Sequence, residues 1–124
     1  MAVLIDSDVL IEVFRARDNH LVQRWEELER SDTAIEYSPV SAAELYAGMR
    51  PGESERLMRL FESLRCVPID AEIGIQAGHF IRQYSKSHSL DIADALIAAS
   101  ASVSGAALWT RNRKHFPMKE LLFF

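Results

Sequence analysis

Short apolar segments alternate with longer helical patterns along the whole chain, and this alternation is the feature that most limits the possible folds. Five segments are short and apolar enough to form strands: residues 3–5, 33–37, 66–69, 107–110 and 121–124. The intervening stretches repeat apolar residues at helical spacing, most clearly in 19–30, 53–64, 71–88 and 90–103. Because strands connected through helices run parallel, this order predicts a three-layer α/β/α domain with a mostly parallel sheet of about four or five strands.

Composition limits the class of protein without indicating an activity. With 124 residues, of which 48% are apolar and 26% charged, the chain is long enough for one domain, 1–124, and is neither disordered nor a coiled coil. It has no apolar stretch near the ~20 residues of a membrane helix, no secretion-type basic leader, and a single cysteine, Cys66. We therefore expect a cytoplasmic protein with no membrane partner. The net charge of −4 disfavours a protein that coats nucleic acid, so any such contact would be local.

Four acidic residues lie where the predicted strands end or where the following helices begin. Asp6 follows the first strand, and Glu44 lies on the helix after the second strand. Asp91 lies at the cap or first turn of the alanine-rich helix, and Asp94 follows three residues later. Because reactive groups collect at the carboxyl ends of parallel strands, these four side chains are candidates for one shared site.

Most of these acids also have a structural interpretation. Asp6 is placed to cap a helix, and Glu44 completes a capping box that begins at Ser41. Asp8 is expected to point to solvent on the first turn of its helix, where a negative charge is favourable. Asp94 is the exception. The other side chains of its helix are mostly small and apolar, and a carboxylate among them is costly to bury.

Converging carboxylates would require a cation. Two unit charges 4 Å apart repel by about 4 kcal/mol at an effective dielectric constant near 20. Carboxylate oxygens favour Mg²⁺ or Mn²⁺, and such an ion can support phosphodiester hydrolysis. The segment after the fourth strand is either a polar exit from the sheet or part of this site, with oxygens from Thr110 and Asn112 and phosphate contacts from Arg111 and Arg113. The four histidines lack ligand spacing and are interpreted as surface or core residues.

Four segments, taken in order, resemble the PIN-domain ribonucleases of the VapC toxin type, which belong to bacterial toxin–antitoxin systems. These segments are VLIDSDVLI (3–11), SAAEL (41–45), DIADALIAA (91–99) and LWTRN (108–112). The resemblance spans essentially the whole chain. It implies a PIN-like fold and an endoribonuclease that depends on Mg²⁺ or Mn²⁺ and cuts structured RNA, typically transfer or ribosomal RNA.

The resemblance also implies roles for individual acids. The acidic positions of the family fall on Asp6, Glu44 and Asp94, which would hold the metal directly or through water. Asp91 would be an additional catalytic acid. His115 is a departure, because the family often has a further acid near this position, and the resemblance therefore leaves open whether one or two metals bind.

The remaining implied roles concern orientation, substrate and partners. Ser7, Thr110 and Asn112 would support the acids from a second layer, with Asn112 at the fourth family position. Contacts with RNA phosphates would come from Arg111, Arg113 and Lys114. Members of the family commonly dimerise and are inhibited by a small VapB-type antitoxin. We therefore expect a cognate antitoxin and a homodimer or a hetero-oligomer with it, with residues 53–64 as a possible dimer surface.

Two other functions remain open at the level of sequence. A weak or inactive PIN-like module would bind RNA or a protein without cutting, and Asn112 and His115 favour this alternative. A phosphatase of the haloacid-dehalogenase type would use Asp6 as its nucleophile, since residues 6–8 imitate the opening motif of that family. The phosphatase would also need a lysine near the pocket and would leave Glu44 without a role.

Overall fold

The computed structural model describes residues 1–124 and contains five strands, six α-helices and one 3₁₀ turn. In chain order these are β1 (Ala2–Ile5), α1 (Ser7–Arg15), α2 (Asn19–Arg30), β2 (Ala34–Tyr37), α3 (Pro39–Ala47), α4 (Ser54–Glu62), β3 (Arg65–Cys66), α5 (Ala71–His88), α6 (Ile92–Ser104), β4 (Ala107–Trp109), the 3₁₀ turn (Arg113–His115) and β5 (Leu122–Phe123). The strands form one sheet in the order β3-β2-β1-β4-β5, and every neighbouring pair is parallel. The predicted fold class is confirmed.

Strand β1 is the centre of the sheet and the point where the connectivity changes direction. The chain passes from β1 outward to β2 and β3, and then crosses to the other side of β1 to form β4 and β5. Leu4 is paired with Glu36 of β2 on one side and with Leu108 of β4 on the other. In doubly wound sheets the crevice at such a switch point, outside the carboxyl ends of the strands, is where ligands bind.

The two faces of the sheet are covered by different helices. Leu4 and Leu108 are fully buried on the face that packs against α5 and α6. Val3, Ile5 and Trp109 are buried on the opposite face, which packs against α1, α2, α3 and α4. Alternation of side chains along the strands therefore produces two apolar layers, as expected for a parallel sheet covered on both faces. None of the helices is long and apolar enough to cross a membrane.

Helix α6 is buried through small side chains. Ala95, Ala98 and Ala99 have no exposed surface, and Gly105 ends the helix with a φ of +76°. This left-handed conformation suits glycine, which has no Cβ to clash. Close packing of α6 against the sheet places its first turn, which contains Asp94, beside the carboxyl end of β4.

The predicted start of α3 is wrong. The helix begins at Pro39, and its N-cap is Ser38, whose Oγ accepts a hydrogen bond from the Val40 N–H at 3.1 Å. Proline is favoured at the first helical position because its fixed φ suits the helix and its missing N–H costs nothing there. The interpretation of Ser41 and Glu44 as a capping box therefore fails, and both side chains are free for other contacts.

Candidate active site

A polar hollow of about 240 Å³ lies at the carboxyl ends of β1 and β4, at the switch point of the sheet. We call it the acidic hollow. Its lining contains four carboxylates, three other polar side chains and two apolar ones: Asp6, Asp8, Glu44, Asp94, Ser7, Asn112, His115, Ile11 and Phe116. The structure thus brings together the predicted Asp6, Glu44 and Asp94 from three separate elements and adds Asp8.

Asp6 is the most firmly held of the four acids. It is the N-cap residue of α1 and is 7% exposed. Its Oδ1 accepts a hydrogen bond from the Ser7 N–H, and its Oδ2 accepts one from the Thr110 hydroxyl, both at 2.8 Å. Burial raises the pKa of Asp6 to about 7, and the charge of Asp8 acts in the same direction, against the hydrogen bonds from Thr110 and Ser7.

Glu44 is positioned by two serines. The Ser7 hydroxyl donates to Glu44 Oε1 at 2.8 Å, and Ser7 Oγ also lies 2.8 Å from Ser41 Oγ. Because Ser7 has one hydroxyl proton, which goes to Glu44, the Ser41 hydroxyl must be the donor of the second bond. Ser41, fully buried on α3, therefore fixes Ser7, and Ser7 fixes Glu44 at the wall of the hollow.

Asp94 and Asp91 have different surroundings although they are three residues apart. Asp94 is half-buried in the hollow, and its Oδ2 lies 2.7 Å from His115 Nε2. Burial raises the pKa of Asp94, and the hydrogen bond from His115 opposes this shift. Asp91 is exposed and is the N-cap of α6, where its Oδ1 accepts from the Asp94 N–H at 2.9 Å. Asp91 lies outside the lining of the hollow.

Asp8 and His115 are the two polar residues of the hollow that the sequence patterns did not reveal. The expectation that Asp8 points to solvent is wrong: its Oδ2 accepts from the Arg111 N–H at 3.2 Å, and its Oδ1 is buried without a partner. Burial raises the pKa of Asp8, against the hydrogen bond from Arg111. His115 is neither a core residue nor an isolated surface residue, because the 3₁₀ turn directs its ring to Asp94. The only signal in the sequence was its place near a position where the family often has an acid.

The segment after β4 contributes to the hollow through its backbone and two side chains. Thr110 orients Asp6, and the Asn112 N–H donates to Thr110 Oγ1 at 3.1 Å while its side chain lines the hollow. The three cationic side chains predicted to contact RNA lie outside the lining. One Arg111 nitrogen is 3.4 Å from Glu12, Arg113 donates to the Phe124 carbonyl oxygen at 2.8 Å, and Lys114 is exposed.

The oxygen atoms that the acidic hollow offers as ligands are of the type that binds a hard divalent cation. All four acids offer oxygen, the ligand type that Mg²⁺ and Mn²⁺ prefer, and the unpartnered Oδ1 of Asp8 is a buried acceptor without a donor. No three His, Cys, Asp or Glu side chains are arranged so that they could hold a metal ion among them. Since Mg²⁺ usually binds through one or two carboxylates and keeps several waters, the residues fit an ion with fewer than three direct protein ligands.

Comparison with known proteins agrees with this geometry. The PIN domain family matches residues 3–120. Ribonuclease VapC10 of Mycobacterium tuberculosis is 42% identical to the chain over 125 aligned residues, which cover 97% of the chain and 90% of that protein. The chain belongs to the PIN-domain family, among the VapC ribonucleases. The predicted resemblance is therefore confirmed.

Solved structures show the same PIN-domain fold. VapBC2 from Rickettsia felis, bound to a DNA fragment from its promoter, matches with a TM-score of 0.80 and 21% identity, covering 100% of this chain and 98% of the other. A toxin–antitoxin complex from Klebsiella pneumoniae matches with a TM-score of 0.75 and 23% identity, covering 97% and 95% of the two chains. At these identities the likeness concerns the fold, and the VapC assignment rests on the sequence relatives.

Proposed function

We propose that this chain is a Mg²⁺- or Mn²⁺-dependent endoribonuclease toxin that hydrolyses a phosphodiester bond in structured RNA of the transfer or ribosomal class. The observation that carries the proposal is the convergence of Asp6, Glu44 and Asp94, from three separate elements, on one hollow at the switch point of the sheet. The ribonuclease names of the sequence relatives support the reaction class. Burial is the main cause of the raised pKa values of Asp6 and Asp94, and carboxyl groups perturbed in this way within one hollow are typical of functional sites.

The proposed roles follow from the contacts in the acidic hollow. When bound, a divalent ion supplies charge neutralisation and activation of water near neutral pH. Asp6, Glu44 and Asp94 hold it directly or through water. Ser7 and Thr110 keep Glu44 and Asp6 in fixed orientations, and Asn112 supports Thr110. Asp91, predicted as an additional catalytic acid, lies outside the lining of the hollow, and its proposed role is to cap the turn that carries Asp94.

The proposal also covers the binding partners of the protein and its location in the cell. Relatives of known structure are VapBC proteins and a toxin–antitoxin complex, which supports a cognate VapB-type antitoxin for this chain. Three large apolar side chains on or beside α3 and α4 are exposed by 39–45%, namely Tyr46, Met49 and Met58, and this surface would serve a homodimer or the antitoxin. The chain would act as one domain, 1–124, in the cytoplasm, where its RNA substrate is.

The experiment that tests the proposed function is RNA cleavage by the purified protein with Mg²⁺, with Mn²⁺ and with a chelator. Asp94→Asn should lower the cleavage rate by more than the 10- to 100-fold that is typical for loss of an outer partner of a metal ligand. Asp91→Asn is the matched control, because asparagine caps a helix as well as aspartate does, and it should change the rate by only a few-fold.

The same assay separates the alternatives. Equal cleavage by the wild type and Asp94→Asn would come from a contaminant and would contradict the proposal. RNA binding by the wild type without any cleavage would indicate a PIN-like binding module instead. The phosphatase alternative gains no support from the structure, because no lysine lines the acidic hollow and Asp6, its required nucleophile, is buried with both oxygens hydrogen-bonded.

A further inference from the structure

A second hollow, of about 330 Å³, lies on the other side of Thr110 from the acidic one. We call it the basic hollow. Its lining combines the start of α2 with the end of β4 and includes Asp18, His20, Arg24, Trp109, Thr110 and Arg111. Thr110 lines this hollow, while its hydroxyl reaches Asp6 in the acidic hollow at 2.8 Å. Thr110 therefore connects a cavity lined by two arginines and one aspartate with a cavity lined by four carboxylates.

Arg24 is held in the basic hollow by aromatic rings and has no acidic partner. Its guanidinium carbon lies 5.0 Å from the ring centroid of Trp109 and 4.4 Å from that of Phe124. No carboxylate oxygen lies within salt-bridge distance of Arg24, although six other arginines form such pairs. Stacking on the rings fixes the plane of the guanidinium and leaves its donors available for a ligand.

The acids near the basic hollow are already used by other groups. Asp18 is the N-cap of α2, and its Oδ1 accepts from the Leu21 N–H at 3.1 Å. Glu12 lies 2.5 Å from a nitrogen of Arg17 and 3.4 Å from one of Arg111, so that a single carboxylate is shared between two arginines. The charged side chains in its lining are therefore two arginines and one capping aspartate, whereas four carboxylates line the acidic hollow.

We propose that the basic hollow binds a backbone phosphate of the RNA strand, next to the phosphate that is cleaved in the acidic hollow. The inference rests on the proposed function and adds Arg24 as a positioning residue for the substrate. An RNA strand carries a negative charge at every nucleotide, and the carboxylates of the acidic hollow repel the phosphates that flank the reacting one. A planar guanidinium with free donors can make paired hydrogen bonds to a phosphate, and Thr110 lines the same hollow as Arg24 while its hydroxyl contacts Asp6.

The test measures binding of a single-stranded RNA oligonucleotide at several salt concentrations, in an Asp94→Asn background so that the RNA stays intact. Arg24→Gln should weaken binding by about 3- to 10-fold and reduce the slope of log affinity against log salt by about 0.7, as expected for the loss of one phosphate contact on a single strand. Arg30→Gln is the matched control, because Arg30 is also exposed on α2 but lies outside the hollow, and it should leave the slope unchanged. Arg24→Lys keeps the charge and should keep the slope.

The outcomes separate this inference from the proposed function. Equal affinity and equal slope for Arg24→Gln and Arg30→Gln would overturn the inference, while cleavage by the wild type would still support the function. If the wild type does not cleave RNA, the function fails, but the binding measurement still decides about the basic hollow. The same variants are also titrated with an acidic peptide. If Arg24→Gln loses affinity for the peptide while its RNA binding is unchanged, the hollow receives a protein carboxylate, and this too would overturn the inference. Equal thermal melting of the variants confirms that they are folded.

Discussion

The acidic and basic hollows flank the same residue, Thr110, but they are built in different ways. In the acidic hollow the carboxylates are held by hydrogen bonds from Ser7, Thr110 and His115. In the basic hollow Arg24 is exposed and is held by stacking on two aromatic rings. In the acidic hollow, burial and the neighbouring carboxylate of Asp8 disfavour the charged form of Asp6. Arg24 is exposed, so its charge carries no such cost. The formal net charge of −4 describes neither hollow, because carboxylates line one of them and two arginines line the other.

The largest expected effect concerns the electrostatic strain of the acidic hollow. The pKa of Asp6 is raised to about 7 in the folded protein, from an ordinary value of 3.8, so that the folded state binds this proton more tightly than the unfolded state does. The stability from this proton is fully present below about pH 4 and is lost as the pH rises to about 7. At 1.36 kcal/mol per pH unit, the free energy of unfolding without metal should fall by about 2 kcal/mol between pH 5 and pH 7, since Asp6 is still half protonated at pH 7.

Urea unfolding in the presence of a chelator measures this loss. Asp6→Asn should remove the part of the decline that comes from Asp6, because asparagine does not titrate, and the raised pKa values of Asp8 and Asp94 should leave a smaller decline. Asp70→Asn is the control, since Asp70 is the N-cap of α5, far along the sequence from the acids of the hollow, and asparagine also caps well. Identical declines in the wild type and Asp6→Asn would show that Asp6 carries no strain, and the contrast between the two hollows would be lost.

The pattern of the sequence was enough to predict a five-stranded sheet and most of the helices, although β3 is Arg65–Cys66 and not the predicted 66–69. Helices α2 and α5 have the predicted bounds, because their apolar spacing is regular and Asp18 and Asp70 precede them as caps. The start of α3 was predicted wrongly because the sequence contains two N-cap patterns, Ser38-Pro39 and the Ser41–Glu44 capping box. Local sequence does not decide between them, and tertiary packing does. Ser41 is needed in the core, where it fixes Ser7.

Asp6, Thr110, Glu44 and Asp94 could all be placed near one site from the order of strands and helices, most directly where a residue follows a strand. Asp6 and Thr110 follow β1 and β4 directly, and strand ends meet at one edge of a parallel sheet. Asp8 and His115 were missed for a physical reason, because their directions depend on tertiary contacts that no periodicity encodes. Asp8 is turned inward by the Arg111 N–H, and His115 by the 3₁₀ turn that brings it to Asp94. Arg24 was missed because its partners, Trp109 and Phe124, are distant in the sequence.

A smaller effect is expected at the boundary between the two hollows. Thr110→Val keeps the shape of the side chain but removes the hydroxyl that donates to Asp6 Oδ2, which leaves this oxygen without a donor. The cleavage rate and the affinity for Mn²⁺ should fall by about 10- to 100-fold, as is typical when a partner that orients a metal ligand is lost. The measurements are RNA cleavage and Mn²⁺ titration of the same variant.

The control for Thr110→Val shows whether the two hollows act separately. Thr110→Ser retains the hydroxyl and should stay within a few-fold of the wild type in both measurements. The salt dependence of RNA binding should be unchanged in both variants, because the hydroxyl faces the acidic hollow and not Arg24. A reduced salt slope in Thr110→Val would mean that the two hollows are coupled through this strand end, and the contrast between them would have to be abandoned.

The smallest expected effect strengthens the basic hollow instead of weakening it. Glu12→Gln removes the carboxylate that Arg17 and Arg111 share, so that Arg111 becomes free to contact a phosphate. RNA affinity should rise by only a few-fold, and the salt slope should steepen by at most about 1. The salt bridge from Arg17 is a partly exposed one and contributes little to stability, so unfolding should change by less than about 1 kcal/mol. A weaker affinity for RNA in Glu12→Gln would show that Glu12 orients Arg111 toward the substrate, and that the basic hollow depends on its one shared acid.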